Sequence, residues 1–208
     1  MREEPRRIAG RLEGTLRIPD VDPRGIVVVA HPLPTHGGTM RNPLVAALAR
    51  AVAAEGFYAL RFNFRSVGES AGVWTGGQEE WRDVGDAVAE ARVIAPGLPV
   101  GAVGFSFGAV MILRWLAEGG RVDGLALVGL PVRSVNLDRR PLPPVPDGTF
   151  IVAAENDQFG TTEELRAAYP KARVAGVSGV DHFFVGKRDE AGMLVAGEMA
   201  RALASKVP

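Results

Sequence analysis

The sequence predicts an α/β fold built on a mostly parallel, doubly wound sheet with helices on both faces. Most strand-like runs are continuously apolar, which is typical of parallel strands that are covered on both sides. These runs alternate with segments of helical periodicity, as in folds whose strands are joined by crossover helices. The 26 Gly and 15 Pro residues are too many for a helical bundle, and they fall between the two kinds of segment.

Six apolar runs mark the predicted strands of the sheet. They cover residues 25–30, 57–62, 100–104, 125–128, 149–154 and 173–177. Ahead of them, residues 8–18 alternate polar and apolar side chains, as a strand with one solvated face does. That segment therefore predicts an antiparallel hairpin at the edge of the sheet.

Five helices are predicted between and after these strands, and capping residues mark the start of two. Asn42 is a good N-cap that precedes Pro43 at the first helical position. Thr161 has capping-box spacing to Glu164. Two more are indicated by apolar stripes at helical spacing, formed by Trp81, Val84 and Val88 and by Val110, Leu113 and Leu116. The last helix is predicted from about residue 190 to residue 204.

Composition and charge exclude several classes of protein. The 24 Lys and Arg residues balance 24 Asp and Glu, so the chain has no electrostatic footprint for nucleic acid or an anionic membrane. The absence of Cys excludes a disulfide framework and a cysteine nucleophile. No apolar stretch approaches the ~20 residues of a membrane span, and the N-terminus has no apolar secretion-signal core. We expect a single cytoplasmic domain over residues 1–208, for which homo-oligomerisation stays open.

The sharpest chemical signal is Gly104-Phe-Ser-Phe-Gly108, directly after a predicted strand and directly before a helix. A nucleophile elbow requires this context, because the strained turn lifts the serine hydroxyl above the sheet. Only glycine lets the strand and helix pass so closely. The pattern also arises by chance as an ordinary turn in a Gly-rich chain. The strand-turn-helix context favours Ser106 as a nucleophile.

A serine hydroxyl needs a base to take its proton. Of the three histidines only His182 follows Ser106, and it lies between the last predicted strand and the final helix. That position fits the chain order nucleophile, acid, histidine of folds that carry this elbow. Asp157, just beyond the strand 149–154, is favoured as the acid that orients the imidazole. The alternatives are Glu155, Asp138 and Asp181.

Charge that develops on a substrate oxygen must be stabilised by preset backbone N–H donors. One predicted donor is Phe107, which follows the nucleophile. The other lies in the loop after the strand 25–30, where Pro32 and Pro34 have no N–H and Leu33 stands between them. Thr35 is the alternative donor.

Four blocks of sequence occur in an order that resembles the α/β-hydrolase superfamily. The resemblance is to its small lid-less bacterial branch, which includes dienelactone-hydrolase-like proteins. Leu33 stands where close relatives often have a second histidine, and Ser66 stands where the superfamily usually has glycine. The blocks are HPLPTHGGTM at 31–40, RFNFRSVGES at 61–70, GFSFG at 104–108 and DHFF at 181–184.

The resemblance implies a serine hydrolase with the α/β-hydrolase fold and a catalytic triad on Ser106, Asp157 and His182. Residues 129–148, where many hydrolases insert a lid, are too short and Pro-rich for a helical cap, so we expect an open site. The expected substrates are small carboxylic esters with short acyl groups. A thioesterase, lactonase or amidase, or a non-catalytic binding protein on the same fold, are the alternatives.

No cofactor or metal ion is expected. The spacing of His31 and His36 matches no common zinc pattern, and we interpret His31 as a structural residue behind the oxyanion loop. Arg65 is interpreted as structural as well, because arginines at strand ends often hold a turn in place. The chain has neither a Walker A pattern nor a dinucleotide fingerprint.

Overall fold

One eight-stranded sheet organises the chain, of which the computed structural model describes residues 1–133 and 141–204. Its strands lie in the order β1-β2-β4-β3-β5-β6-β7-β8. They are β1 (Arg2–Ile8), β2 (Leu12–Ile18), β3 (Ile26–Ala30), β4 (Tyr58–Phe62), β5 (Val100–Phe105), β6 (Gly124–Val128), β7 (Phe150–Ala154) and β8 (Arg173–Val177).

The sheet is parallel from β4 to β8, with β2 antiparallel to β4 and β1 antiparallel to β2. Strand β5 lies near its centre, where Val103 pairs with Val29 on one side and with Ala126 on the other. In such sheets the loops at the carboxyl ends of the parallel strands meet along one edge. The predicted doubly wound α/β architecture is confirmed.

In the described residues, five helices cover the two faces of the sheet and bury a separate apolar core on each side. Helices α2, α3 and α4 enclose one core, and α1 and α5 enclose the other. Within the described residues, no helix is long and apolar enough to span a membrane. The helices are α1 (Pro43–Ala54), α2 (Trp81–Ile94), α3 (Phe107–Ala117), α4 (Thr162–Ala168) and α5 (Arg188–Ala204).

The predicted helix caps form as the sequence indicates. The Asn42 side chain accepts hydrogen bonds from the backbone N–H groups of Leu44 and Val45, which no residue inside the helix can satisfy. Thr161 and Glu164 form a reciprocal capping box at the start of α4. Both caps are formed by residues close together in the sequence, so they do not depend on the tertiary structure.

The N-terminal hairpin lies at the predicted sheet edge, but its bounds differ from the expectation. The alternating segment 8–18 supplies β2, the last residue of β1 and the turn between them, where Ala9 and Gly10 both have positive φ angles. The partner strand β1 is polar and largely exposed, and it contains Pro5. An edge strand tolerates proline because one of its sides needs no ladder hydrogen bond. Its composition therefore carried no strand signal.

Arg65 has the structural role that the sequence indicated, through a partner that was not foreseen. Its backbone N–H and its guanidinium both donate to Asp83, which is fully buried at the start of α2. Arg11 of the hairpin turn donates to the same carboxylate at 2.6 Å. The buried Asp83 charge is thus paired on two sides. It joins the hairpin, the segment after β4 and α2.

His31 is completely buried at the end of β3. Its Nδ1 donates to the Pro32 carbonyl oxygen at 2.7 Å, and its Nε2 accepts from the Phe64 backbone N–H at 3.1 Å. Only a neutral imidazole with its proton on Nδ1 can make both bonds. Burial lowers the pKa of His31 from 6.5 to about 4, with only the bond to Pro32 acting in the opposite direction.

This buried imidazole predicts an acid-sensitive fold. Above pH 6.5 His31 is neutral in the folded and in the unfolded chain. Between pH 6.5 and about 4 the unfolded chain binds a proton at His31 and the folded chain does not. The free energy of unfolding should therefore fall by about 3 kcal/mol over this window because of His31 alone. Urea unfolding of the wild type and of His31→Gln measures this loss. The difference between their free energies of unfolding should narrow as pH falls.

His36 provides the matched control, because it is an exposed histidine five residues away. His36→Gln is expected to follow the wild-type stability curve. Parallel curves for the wild type and His31→Gln between pH 7 and 4 would contradict the assignment.

Candidate active site

Ser106 occupies the tight turn between β5 and α3. Its backbone has φ 54° and ψ −114°, a conformation that L-residues avoid unless the surrounding structure imposes it. Its backbone N–H donates to the carbonyl of Val128, at the end of the neighbouring strand β6, at 2.9 Å. This strained turn holds the serine side chain at the carboxyl edge of the sheet.

The two glycines of the elbow are required by close backbone contact. A Cβ atom on Gly104 would lie 2.5 Å from the backbone nitrogen of Ala109, and one on Gly108 would lie 2.5 Å from the carbonyl oxygen of Ala30. Neither contact can relax by moving a side chain, since backbone atoms make both. Strand β5, helix α3 and the end of β3 therefore pass one another at the distance that glycine alone allows.

A continuous chain of hydrogen bonds links Ser106, His182 and Asp157. His182 Nε2 lies 2.9 Å from Ser106 Oγ, and His182 Nδ1 lies 2.7 Å from Asp157 Oδ2. The three residues are 7%, 3% and 1% exposed. With Nδ1 donating to the carboxylate, Nε2 is the atom that accepts from the serine hydroxyl. Residues distant in the sequence thus form the geometry of a nucleophile, a base and an orienting acid.

The alternative acids make other bonds. Glu155 accepts the backbone N–H of Gly179 at 2.7 Å, and Asp181 accepts that of Phe183 at 3.0 Å. Both carboxylates are used to shape turns. Asp138 lies outside the described residues. Among the described candidates, the geometry favours Asp157.

Asp157 and His182 are held by neighbours that sequence reasoning missed. The backbone N–H of Phe159 donates to Asp157 Oδ1 at 2.8 Å, and the Phe159 ring meets the imidazole edge-on at 4.7 Å. Aspartate side chains commonly accept from the backbone N–H two residues later, and this tendency was the signal available in the sequence. Gly129 closes the other side, because a Cβ atom there would lie 3.3 Å from His182 Cε1.

The loop that carries His182 is anchored by Phe184. This residue is fully buried and has φ 52°, which is rare for a bulky side chain. Its backbone N–H donates to the carbonyl of Asp181 at 3.0 Å. The ring packs into the core between the sheet and α5, while Phe183, on the opposite side of the turn, is 51% exposed. Burial of Phe184 therefore keeps the loop in a strained turn beside Ser106.

The two predicted oxyanion donors belong to the segments that directly follow Ser106 and strand β3. Phe107 is the first residue of α3, and Leu33 directly precedes a 3₁₀ turn formed by Pro34–His36. Among residues 1–133 and 141–204, neither backbone N–H donates to a protein acceptor. The alternative donor Thr35 lies within the 3₁₀ turn, where its hydroxyl meets His36 Nδ1 at 3.1 Å.

The surroundings of Ser106 are aromatic and apolar. Trp74 packs beside Phe107 with 5.4 Å between ring centroids, and the exposed Phe183 ring meets the His182 ring edge-on at 5.6 Å. The described parts of the 129–148 connection, 129–133 and 141–148, contain neither helix nor strand. In the described part of the chain, no group of three or more His, Cys, Asp or Glu side chains could hold a metal ion.

The serine that replaces the usual superfamily glycine has a structural explanation. Ser66 has φ 66°, in the left-handed region that glycine enters without a Cβ penalty. The position thus keeps the conformation even though the residue type has changed.

Comparison with known proteins shows that the fold is similar to those of α/β serine hydrolases. The fold superposes on an α/β serine hydrolase homologue from Coxiella burnetii with a TM-score of 0.82 and 27% identity, covering 96% of this chain and 97% of the other. It superposes on a serine hydrolase without a lid from Xanthomonas campestris with a TM-score of 0.83 and 26% identity, covering 98% and 96% of the two chains.

Sequence comparison agrees with the structural likeness. An uncharacterized protein of Rickettsia prowazekii is 28% identical over 192 residues, which span 87% of this chain and 81% of the relative. The profile of the family described as serine aminopeptidase, S33, matches residues 21–145, more than half of the chain. The predicted α/β-hydrolase superfamily is thereby confirmed, and the chain belongs to the S33 serine aminopeptidase family of α/β hydrolases.

Proposed function

We propose that this protein hydrolyses small carboxylic esters through an acyl-enzyme intermediate, with Ser106 as nucleophile, His182 as base and Asp157 as the orienting acid. The observation that carries the proposal is the hydrogen-bond chain from Ser106 Oγ through His182 to Asp157, with steps of 2.9 and 2.7 Å. All three groups are nearly buried, which strengthens the electrostatic interactions among them. These contacts support a common role for the three residues.

The reaction begins when Ser106 Oγ attacks the ester carbonyl carbon and its proton passes to His182 Nε2. Asp157 stabilises the imidazolium that forms. The N–H groups of Leu33 and Phe107 donate to the oxyanion, and the positive end of the α3 dipole lies at the same place. As the intermediate collapses, His182 returns the proton to the leaving alcohol. Water then attacks the acyl-enzyme by the same route and releases the acid.

The same groups can act on thioesters, lactones and amides. The description of the family names an aminopeptidase, so an aminoacyl amide belongs in the substrate panel. The aromatic rings of Trp74, beside Phe107, and of Phe183, beside His182, favour an uncharged ester over a free peptide.

Removal of either reacting group should abolish turnover. Because Ser106 and His182 act as a unit, Ser106→Ala and His182→Ala should each lower kcat for p-nitrophenyl acetate by several orders of magnitude, about as much as the double variant. The measurement is steady-state hydrolysis, with Ser178→Ala, at an exposed serine, as a control for nonspecific loss. Near-normal hydrolysis by Ser106→Ala would refute the proposal.

Asp157→Asn tests the acid separately. An amide can hold the imidazole in the wrong tautomer, so kcat should drop by at least about a thousandfold while the fold is kept. Asp181→Asn is the matched control, because its carboxylate bonds a turn and not the imidazole. If Asp157→Asn retained wild-type turnover, the acid would be elsewhere, with Asp138 the next to test.

Acyl-chain length should have little effect beyond butyryl. Each buried methylene can contribute up to ~0.8 kcal/mol, but only where protein covers it, and the described parts of the 129–148 connection form no helical cap. Values of kcat/KM across p-nitrophenyl esters from acetyl to dodecanoyl should therefore peak between acetyl and butyryl. A steady rise through octanoyl would show an extended apolar groove and contradict this expectation.

A further inference from the structure

We propose that His31 is a positioning residue for the oxyanion hole, which holds the Pro32–Leu33 peptide so that the Leu33 N–H is preset for the transition state. The inference rests on the proposed function, in which Leu33 donates to the oxyanion. It gives this buried histidine a role in the reaction although it touches no reacting atom.

The geometry of a peptide unit connects His31 to the donor. The carbonyl oxygen of Pro32 and the N–H of Leu33 belong to one planar trans unit, in which they point in opposite directions. His31 Nδ1 donates to that oxygen at 2.7 Å. A hydrogen bond that fixes one end of a rigid plane also fixes the direction of the other end. The imidazole therefore sets where the Leu33 N–H points.

Most other backbone polar groups of this segment are paired with one another or absent. The Leu33 carbonyl accepts from the N–H groups of His36 and Gly38, both at 3.1 Å. Pro32 and Pro34 have no N–H to offer. Within residues 32–38, the backbone N–H groups of Leu33 and Thr35 are thus the two that donate to no described protein acceptor, and Leu33 is the one whose peptide His31 holds.

A second contact, independent of the histidine, restrains the same peptide. A Cβ atom on Gly38 would lie 2.1 Å from the Pro32 carbonyl oxygen. The loop therefore folds back onto the peptide at a distance that only glycine permits. Gly38 has an ordinary backbone conformation, so this close approach, and not a positive φ angle, explains the glycine.

The imidazole is itself held rigidly. Its Nε2 accepts from the Phe64 backbone N–H, and its ring meets the Phe64 ring edge-on at 4.8 Å. Phe64 follows β4, so the histidine ties the loop to the neighbouring strand. Because burial lowers its pKa to about 4, the ring stays neutral, and both hydrogen bonds persist at neutral pH.

A preset donor stabilises the transition state without reorganising when charge develops. The ground-state carbonyl interacts with it more weakly. Loss of the His31 hydrogen bond should therefore lower kcat and leave KM nearly unchanged. Loss of a whole oxyanion donor typically costs about 10²–10³ in kcat, so a misdirected donor should cost about tenfold to a hundredfold.

The first experiment replaces the histidine. His31→Ala should lower kcat for p-nitrophenyl acetate by about tenfold to a hundredfold at nearly constant KM. His31→Asn should recover part of the loss, because its amide nitrogen is the same number of bonds from Cα as Nδ1 and can donate to Pro32. A purely structural role predicts no such recovery at equal folded fraction, which unfolding curves measure.

The second experiment leaves the histidine in place. Gly38→Ala should displace the Pro32–Leu33 peptide and lower kcat and the affinity for phenylboronic acid, a mimic of the tetrahedral intermediate, in parallel. Gly37→Ala is the matched control, since a Cβ atom there meets nothing within 4 Å. It should cost some stability at its positive φ but keep kcat. If His31→Ala does not fold, His31→Gln takes its place in the comparison with His31→Asn, because its amide nitrogen is one bond further from Cα.

The two levels of the proposal can fail separately. Unchanged kcat and boronate affinity in Gly38→Ala and in a folded His31→Ala, with Ser106 still labelled by a fluorophosphonate, would overturn the role of His31 and leave the proposed function intact. A rise in KM with unchanged kcat would overturn the role of His31 as well. A wild-type protein that neither hydrolyses esters nor reacts with the fluorophosphonate would refute the proposed function itself.

Discussion

The close passage of backbone at the β5–α3 turn is the constraint on which the site depends. Gly104 and Gly108 allow strand, helix and the end of β3 to meet at distances that no side chain permits. The turn forces Ser106 into a positive φ angle, and its strain is offset by the surrounding sheet and by the bond to Val128. One local arrangement therefore places Ser106, the first N–H of α3 and the loop after β3 side by side.

The parallel sheet brings the other partners to that point. Strands β7 and β8 run in the same direction as β5, so the loops that follow them open at the same edge. From those loops His182 reaches Ser106, and Asp157 reaches His182. Their final placement depends on contacts around them: the Phe159 N–H on the carboxylate, and Phe184 buried beneath the histidine loop. The site is thus built from short segments, each anchored by its own core contact.

Buried polar groups hold the framework where apolar packing cannot specify direction. Asp83 joins Arg11 and Arg65 across the hairpin and α2, and His31 joins Pro32 to Phe64. In a low-dielectric interior such groups are costly unless every bond is made, which restricts the segments they connect to one arrangement. An apolar residue of similar size could fill the space of His31, but it could not orient a peptide.

The sequence by itself determined the elements whose signals are local: the apolar strands, the caps at Asn42 and Thr161, and the glycine-bounded turn at Ser106. It also limited the base to His182, since no other histidine follows the serine. Tertiary structure decided which carboxylate meets the imidazole, why β1 pairs as an edge strand, and what His31 and Asp83 contact. Those outcomes depend on sheet order and register, which bring together residues far apart in the chain. No local pattern encodes the distance between them.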